Sequence, residues 1–203
     1  MTDGERRCVG VILAGGGATR FGGEAKGLRI VEGRRIIDRV ADALRPVTDD
    51  LLLVANHPDA TEWLPGVRVA ADVRPGCGAL GGIHAALSHA AGSPVLLVAW
   101  DMPFPSEGLL RTLRITGALG FDAVAPESET SGRGVEPLCA WYAPACLSAI
   151  ERRLDAGERM VVSFFADIRV HRLPLAEVSQ WGDPARMFFN VNSPDDLPRA
   201  THA

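Results

Sequence analysis

The chain has 203 residues, 47% hydrophobic and 23% charged, with a net charge of −4 and a pI of about 5.7. A mildly acidic chain lacks the basic face that is the usual footprint of nucleic-acid binding, so no nucleic-acid partner is expected. No apolar run reaches the roughly 20 residues a membrane helix needs, and the length fits one domain, expected to span residues 1–203.

In chain order, the N-terminus Met1–Arg7 carries cations but runs into a strand-like segment and glycines, so it does not read as a signal peptide. The apolar run Cys8–Ala14 predicts a buried strand. It opens into the Gly-rich stretch Gly15-Gly-Gly-Ala-Thr-Arg20-Phe-Gly-Gly-Glu-Ala-Lys26-Gly27. Over 34–44, Ile36, Ile37, Val40 and Leu44 recur at helical spacing and Pro46 stops the helix. Strands are expected at Asp50–Ala55, closing on Asn56, at Val67–Ala71, closing on Asp72, and at Pro94–Trp100, closing on Asp101. Gly76–Gly82 reads as a flexible turn before a helix at Ile83–Ala91, and a further helix is expected at Glu107–Gly117. The second half is less regular. Strands are expected at Asp122–Pro126, Glu136–Tyr142, Ile168–Leu173 and Met187–Val191, with a polar loop at Glu127–Gly134. A helix is opened by Pro144, a short helix or strand covers Met160–Ala166, and Ser193-Pro-Asp-Asp196 has the cap, proline and acidic first turn of a helix start.

Strands alternating with helices predict an α/β fold, a mainly parallel sheet with helices on both faces. Ligands in such sheets bind beyond the carboxyl ends of the strands. The Gly15 loop, Asn56, Asp72 and Asp101 all fall there. Lys26 is the single lysine among 21 Lys+Arg residues, so the position calls for a compact ammonium rather than a planar fork. Glycines that let backbone N–H groups approach oxygens, together with a cation, suit a phosphate chain. The loop is neither common nucleotide fingerprint. Arg20 stands where G-x-G-x-x-G from Gly15 needs glycine, and Ala25-Lys26-Gly27 replaces the G-K-[ST] of a P-loop. Asp101, closing a wholly apolar strand, is a candidate ligand for Mg²⁺ or the cap of a turn. Asn56 and Asp72 are candidates for ribose or base contacts or plain turn formers. Arg133 is either an anion contact or a solvated loop cation. Cys8, Cys77, Cys139 and Cys146 lack C-x-x-C spacing and read as reduced thiols, which fits a cytoplasmic location. The five histidines have no metal-ligand spacing, and the four tryptophans read as core or rim.

The motif Leu13-Ala-Gly-Gly-x-x-x-Arg20-Phe-Gly-Gly-x-x-Lys26-Gly-Leu28 resembles the signature loop of nucleotidyltransferases that include the molybdenum cofactor guanylyltransferases. The similarity continues through Leu53-Val-Ala-Asn56, Asp72, Gly78-Ala-Leu-Gly-Gly-Ile83, Trp100-Asp-Met-Pro103, Glu136-Pro-Leu138, Ala156-Gly-Glu-Arg159 and Phe189-Asn-Val-Asn192-Ser-Pro-Asp-Asp-Leu197. It implies a three-layer α/β/α Rossmann-like nucleotidyltransferase fold that joins GTP to a molybdopterin-type cofactor with Mg²⁺, releasing pyrophosphate. Leu13, Ala14, Gly15, Asn56 and Asp72 would meet guanine or ribose. Lys26 would meet phosphate, and Asp101 both nucleotide and Mg²⁺. Asn190 and Asn192 would lie near the acceptor or metal. Handover to other cofactor-biosynthesis proteins or apo-molybdoenzymes is a further expectation. Two positions depart from the family pattern: Ala25 replaces the aspartate before the loop lysine, and Glu136 replaces the histidine before Pro137.

The expected chemistry is in-line attack of an acceptor phosphate on the α-phosphorus. An ionised phosphate needs no strong base, so catalysis would rest on positioning and charge neutralisation by Arg20, Lys26 and Asp101-bound Mg²⁺. Two alternatives stand beside it. One is a CTP- or UTP-dependent relative acting on molybdopterin or a sugar or polyol phosphate. The other is a non-catalytic nucleotide-binding module.

Overall fold

The computed structural model describes residues 7–15 and 26–202. Arg20, Glu24 and Ala25 lie outside the described residues. The first strand, β1 (Val9–Ala14), is central. A hairpin follows, β2 (Ile30–Val31) and β3 (Arg34–Arg35), turning through Glu32 and Gly33 at φ 48° and 78°. Then come α1 (Ile36–Leu44), β4 (Asp50–Ala55), α2 (Ala60–Trp63), β5 (Arg68–Ala70), α3 (Gly78–His89), β6 (Val95–Ala99) and α4 (Glu107–Gly117). The second half contributes β7 (Ala123–Ser128), β8 (Gly134–Val135), β9 (Cys139–Tyr142), α5 (Cys146–Asp155), β10 (Val170–Leu173), α6 (Leu175–Val178), α7 (Pro184–Met187) and α8 (Asp196–His202).

The main sheet runs β10-β7-β9-β6-β1-β4-β5, with β8 paired to β7. All its pairings are parallel except those of β9 with β6 and β7 and of β8 with β7. The unbroken apolar runs of β1, β4 and β6 reflect burial on both sides. Within them, alternate residues serve different cores. Ile12, Leu53, Leu96 and Val98 face α1 and α4, whereas Val11, Leu13, Leu52, Val54 and Leu97 face α3 and α5. The chain leaves β1 toward β4 and β5, then returns to β6 on the other side of β1. That reversal makes the carboxyl ends of β1 and β6 the switch point beyond which open α/β sheets place their ligands.

Several expectations are corrected. The helix expected at Ile83 begins at Gly78. Its glycines read as a turn because glycine is a poor helix former, yet a Cβ on Gly82 would lie 2.5 Å from Leu13 Cδ1. Glycine is what lets α3 close onto β1. The strand expected at Met187–Val191 is absent: Asp183 caps α7, accepting a hydrogen bond from the Ala185 N–H, with Pro184 at the first helical position. The strand expected from Glu136 starts only at Cys139, because Glu136–Leu138 forms a turn with the Cys139 N–H bonded to Glu136 O. Arg34 and Arg35 belong to the hairpin, not to α1.

Candidate active site

The expected site residues that lie within the described chain gather at the carboxyl edge of the sheet. Leu13, Ala14 and Gly15 end β1, and the Trp100 N–H donates to Leu13 O at 3.2 Å, joining the ends of β6 and β1. The Leu13 side chain is buried under α3, so only its backbone faces the edge. Lys26 opens a 3₁₀ turn, Lys26–Leu28, whose next residue packs on Trp100. A Cβ on Gly27 would sit 2.4 Å from Trp100 Cε3 and 3.2 Å from Trp100 O. The absence of a side chain there brings Lys26 down beside Asp101, with Nζ 4.0 Å from Oδ2. Both partners are largely buried, at 13% and 16% side-chain exposure. Burial pushes the Asp101 carboxyl up from its ordinary range, and the Lys26 charge opposes that. Trp100 stacks on Trp63 at 5.1 Å, and its buried Nε1 has no hydrogen-bond partner among the described residues.

Asn56 and Asp72 bind each other: Asn56 Nδ2 donates to Asp72 Oδ2 at 2.7 Å and the Asp72 N–H donates to Asn56 Oδ1 at 2.8 Å. This reciprocal pair ties the ends of β4 and β5 into one polar rim on the far side of β1 from Asp101. On the near side, Asp101 O accepts the Val191 N–H at 2.9 Å. That bond brings Asn190 and Asn192 to Asp101, one on each side of Val191. Asn190 Nδ2 donates to Phe188 O at 2.9 Å, and the Asn192 N–H donates to Asp196 Oδ2 at 3.0 Å. The Asp196 carboxylate also takes the N–H and hydroxyl of Ser193, which caps the entry to α8 and fixes the segment. Arg133 is exposed in the β7–β8 turn, its guanidinium on Ser131 O.

One residue the sequence reading noted only as a departure belongs to this edge. Glu136 is 5% exposed, and its Oε1 accepts the Leu138 N–H at 3.1 Å. Burial pushes its carboxyl up to about 7; the Asp101 charge adds to this, while the Leu138 hydrogen bond and Arg133 oppose it. A buried carboxylate sensing Asp101 was not visible from spacing, because it depends on how β9 is inserted beside β6. Among the described residues no three His, Cys, Asp or Glu side chains cluster as a metal site. No helix among them is long and apolar enough to cross a membrane.

A lysine–aspartate pair at the reversal point of a mainly parallel sheet, in a chain whose sequence is Gly-rich just before that lysine, fits a nucleotidyltransferase, and the relatives show that it is one. The family model described as "MobA-like NTP transferase domain" matches residues 10–172. A molybdenum cofactor guanylyltransferase of Desulfosudis oleivorans is 36% identical, over 96% of this chain and 95% of the relative. A probable molybdenum cofactor guanylyltransferase of Pelotomaculum thermopropionicum is 37% identical over 96% and 92%. Among solved structures, the molybdopterin-guanine dinucleotide biosynthesis protein A of Archaeoglobus fulgidus superposes with a TM-score of 0.78 at 30% identity, covering 96% and 97% of the two chains. A Mycobacterium tuberculosis protein solved in complex with manganese shares the fold, with a TM-score of 0.66 at 18% identity. The chain belongs to the MobA-like NTP transferases and, within them, to the molybdenum cofactor guanylyltransferases.

Proposed function

We propose that the protein transfers GMP from GTP to the terminal phosphate of molybdenum-molybdopterin, giving the guanine dinucleotide cofactor and pyrophosphate. The observation that carries this reading is the largely buried Lys26–Asp101 pair at the carboxyl ends of β1 and β6, in a chain related to guanylyltransferases over nearly its whole length. An oxygen of the acceptor phosphate attacks the α-phosphorus of GTP. The bond from that phosphorus to the β-phosphate oxygen breaks, and its electron pair leaves with pyrophosphate.

Leu13, Ala14 and Gly15 offer backbone groups to guanine and ribose, and the Asn56–Asp72 rim offers amide and carboxylate contacts to the same nucleoside. Lys26, with Arg20 beside it in the sequence, takes the phosphate charge. Asp101 is a hard oxygen donor, well buried and facing one ammonium, which fits a divalent cation such as Mg²⁺. That ion, when bound, supplies charge neutralisation at the α-phosphate. Asn190, Asn192 and Arg133 receive the acceptor. The N-terminal half would thus hold nucleotide and the C-terminal half acceptor, within one domain spanning the whole chain. A cytoplasmic location and handover to other cofactor-biosynthesis proteins or apo-molybdoenzymes follow from the same reading.

The test is a thermal-shift panel of GTP, CTP, UTP and ATP with Mg²⁺, followed by pyrophosphate release with molybdenum-molybdopterin. Stabilisation and turnover with GTP above the other three are expected. A response to CTP without one to GTP would overturn the guanine assignment. Stabilisation without pyrophosphate release would overturn the reaction.

A further inference from the structure

The segments that carry Lys26, Asp101 and Asn190 also meet around the side chain of Arg186. Its Nη2 donates to Glu32 Oε1 at 2.8 Å, and its guanidinium carbon lies 3.8 Å from the centre of the Phe104 ring. Glu32 turns the hairpin that starts just past the Lys26–Leu28 turn, where the Arg29 N–H donates to Lys26 O at 3.0 Å. Phe104 follows Asp101 in the loop after β6. Arg186 itself sits in α7, and its carbonyl accepts the N–H of Phe189, the residue before Asn190, at 3.2 Å. One guanidinium thus touches both other segments. Glu32 also takes Arg39, whose Nη2 donates to Oε2 at 3.1 Å and to Val31 O at 2.9 Å. The backbone at Glu32 is left-handed, φ 48°, and Gly33 follows at 78°. Asn or Asp is the usual choice before glycine in such a two-residue hairpin turn. A glutamate there is strained, and strain of this kind persists where the surroundings over-determine it. Here the longer side chain gives one oxygen to each of two arginines.

We propose that Arg186 is a positioning residue for the acceptor: anchored on Glu32 and Phe104, it holds the segment 188–192 against Asp101. The inference rests on the reading that Asn190 and Asn192 receive the acceptor. The hairpin is the fixed support, because Arg39 and the packing of Gly27 on Trp100 hold it without Arg186. Asp196 fixes the segment from its far end, through the N–H groups of Asn192 and Ser193. Arg186 fixes it from the near end. The Arg186 and Glu32 side chains are 32% and 35% exposed. An ion pair this open to water contributes little to stability, yet a small misplacement of a group that orients a reactant costs much rate. A residue that only supported the fold would lower the melting temperature and leave the acceptor constants of the folded enzyme unchanged.

The experiment compares the full-length wild type with Arg186→Gln and Arg186→Lys. Arg186→Gln should lower kcat/KM for molybdenum-molybdopterin by about tenfold or more, the cost of a misplaced orienting group. The loss should fall on KM for the acceptor. Calorimetric affinity for GTP with Mg²⁺ and the melting temperature should stay near those of the wild type. Arg186→Lys keeps a charge for Glu32 but loses the flat stack on Phe104, so it should fall between the two. Glu32→Gln should reproduce the acceptor defect, and the Glu32→Gln, Arg186→Gln double variant should be no worse than either, because both break one link. Hydrogen exchange at the Val191 amide reads the same link without turnover. Its protection should fall in Arg186→Gln while the amides of β6 keep theirs. A wild-type acceptor KM in Arg186→Gln would overturn the proposal, as would wild-type protection of Val191. If Arg186→Gln fails to fold, Arg186→Lys decides by the same two readings. A wild type that releases no pyrophosphate from GTP would overturn guanylyl transfer, and the Val191 amide would still decide whether Arg186 holds the segment.

Discussion

Lys26 and Asp101 meet because Gly27 has no side chain. The ammonium and carboxylate are 4.0 Å apart and shielded from water, where a charge acts on a phosphate far more strongly than at the surface. Asp101→Asn should lower kcat by about 10²–10³-fold, the scale of losing one preorganised charge, while circular dichroism and cooperative melting stay intact. An unchanged kcat at saturating Mg²⁺ would remove Asp101 from the chemistry. Lys26→Arg keeps the charge but brings a planar fork to a site fitted to a compact ammonium. A fall in kcat/KM for GTP of about tenfold or more is expected, equivalent to roughly 1.4 kcal/mol. Gly27→Ala would drive a methyl into the Trp100 ring, since its Cβ would sit 2.4 Å from Cε3. Overpacking of that kind costs about 1–3 kcal/mol, so urea unfolding should show a lower midpoint together with reduced turnover. The candidacy of Lys26 and Asp101 was legible in the sequence because residue type alone set them apart: one lysine in the chain, and a carboxylate ending a wholly apolar strand. The close fit of Gly27 was not, because a glycine reports what it packs against only in three dimensions.

At the scale of elements, the ends of β4 and β5 act together. Asn56 and Asp72 are 16 residues apart and exchange two hydrogen bonds. Asn56→Ala removes both, and a hydrogen bond of this kind contributes about 0.5–1.5 kcal/mol. The apparent affinity for GTP, measured by calorimetry with Mg²⁺, should therefore fall about tenfold, with a smaller loss of stability. Strands β1, β4 and β6 could be read from the sequence almost to the residue, because a strand buried on both faces writes an unbroken apolar run. Helix α3 was misplaced by five residues, because its glycines read as a turn, whereas Gly82 is there to let the helix approach Leu13. The segment Met187–Val191 reads as a strand, yet its place is against Asp101 through the Val191 N–H. An apolar run records burial and leaves open which backbone it will bond.

For the whole molecule, Asp122 joins the far edge of the sheet. Its carboxylate accepts the Arg169 N–H at 2.8 Å, and its backbone carbonyl accepts the Ala143 N–H at 2.8 Å, tying the entries of β7 and β10 to the end of β9. The Arg169 backbone hydrogen bond, aided by the guanidinium, holds this carboxyl below its ordinary value. Its folded pKa therefore lies below the unfolded one. The resulting stability is present above the unfolded value of about 3.9 and is lost as pH falls through the depressed folded value. Asp122→Asn should cost about 1–2 kcal/mol at pH 7, in the range for charge-assisted bonds. The cost should shrink toward zero near pH 2, as read by urea unfolding at the two pH values. Equal destabilisation at both would mean the carboxylate charge plays no part.

By itself, the sequence determined the α/β class and the strands nearest the centre, and it singled out the first loop as the candidate for holding phosphate. These are written locally, in unbroken apolar runs, helical spacing and residue type. The tertiary structure alone decided that β9 enters antiparallel between β6 and β7, and with it that Glu136, just before β9, is buried. Strand order and register come from contacts between segments far apart in the chain. Val98 and Cys139 become neighbours only when a sheet brings them together, because extended strands pack about 4.7–4.9 Å apart whatever their distance in sequence.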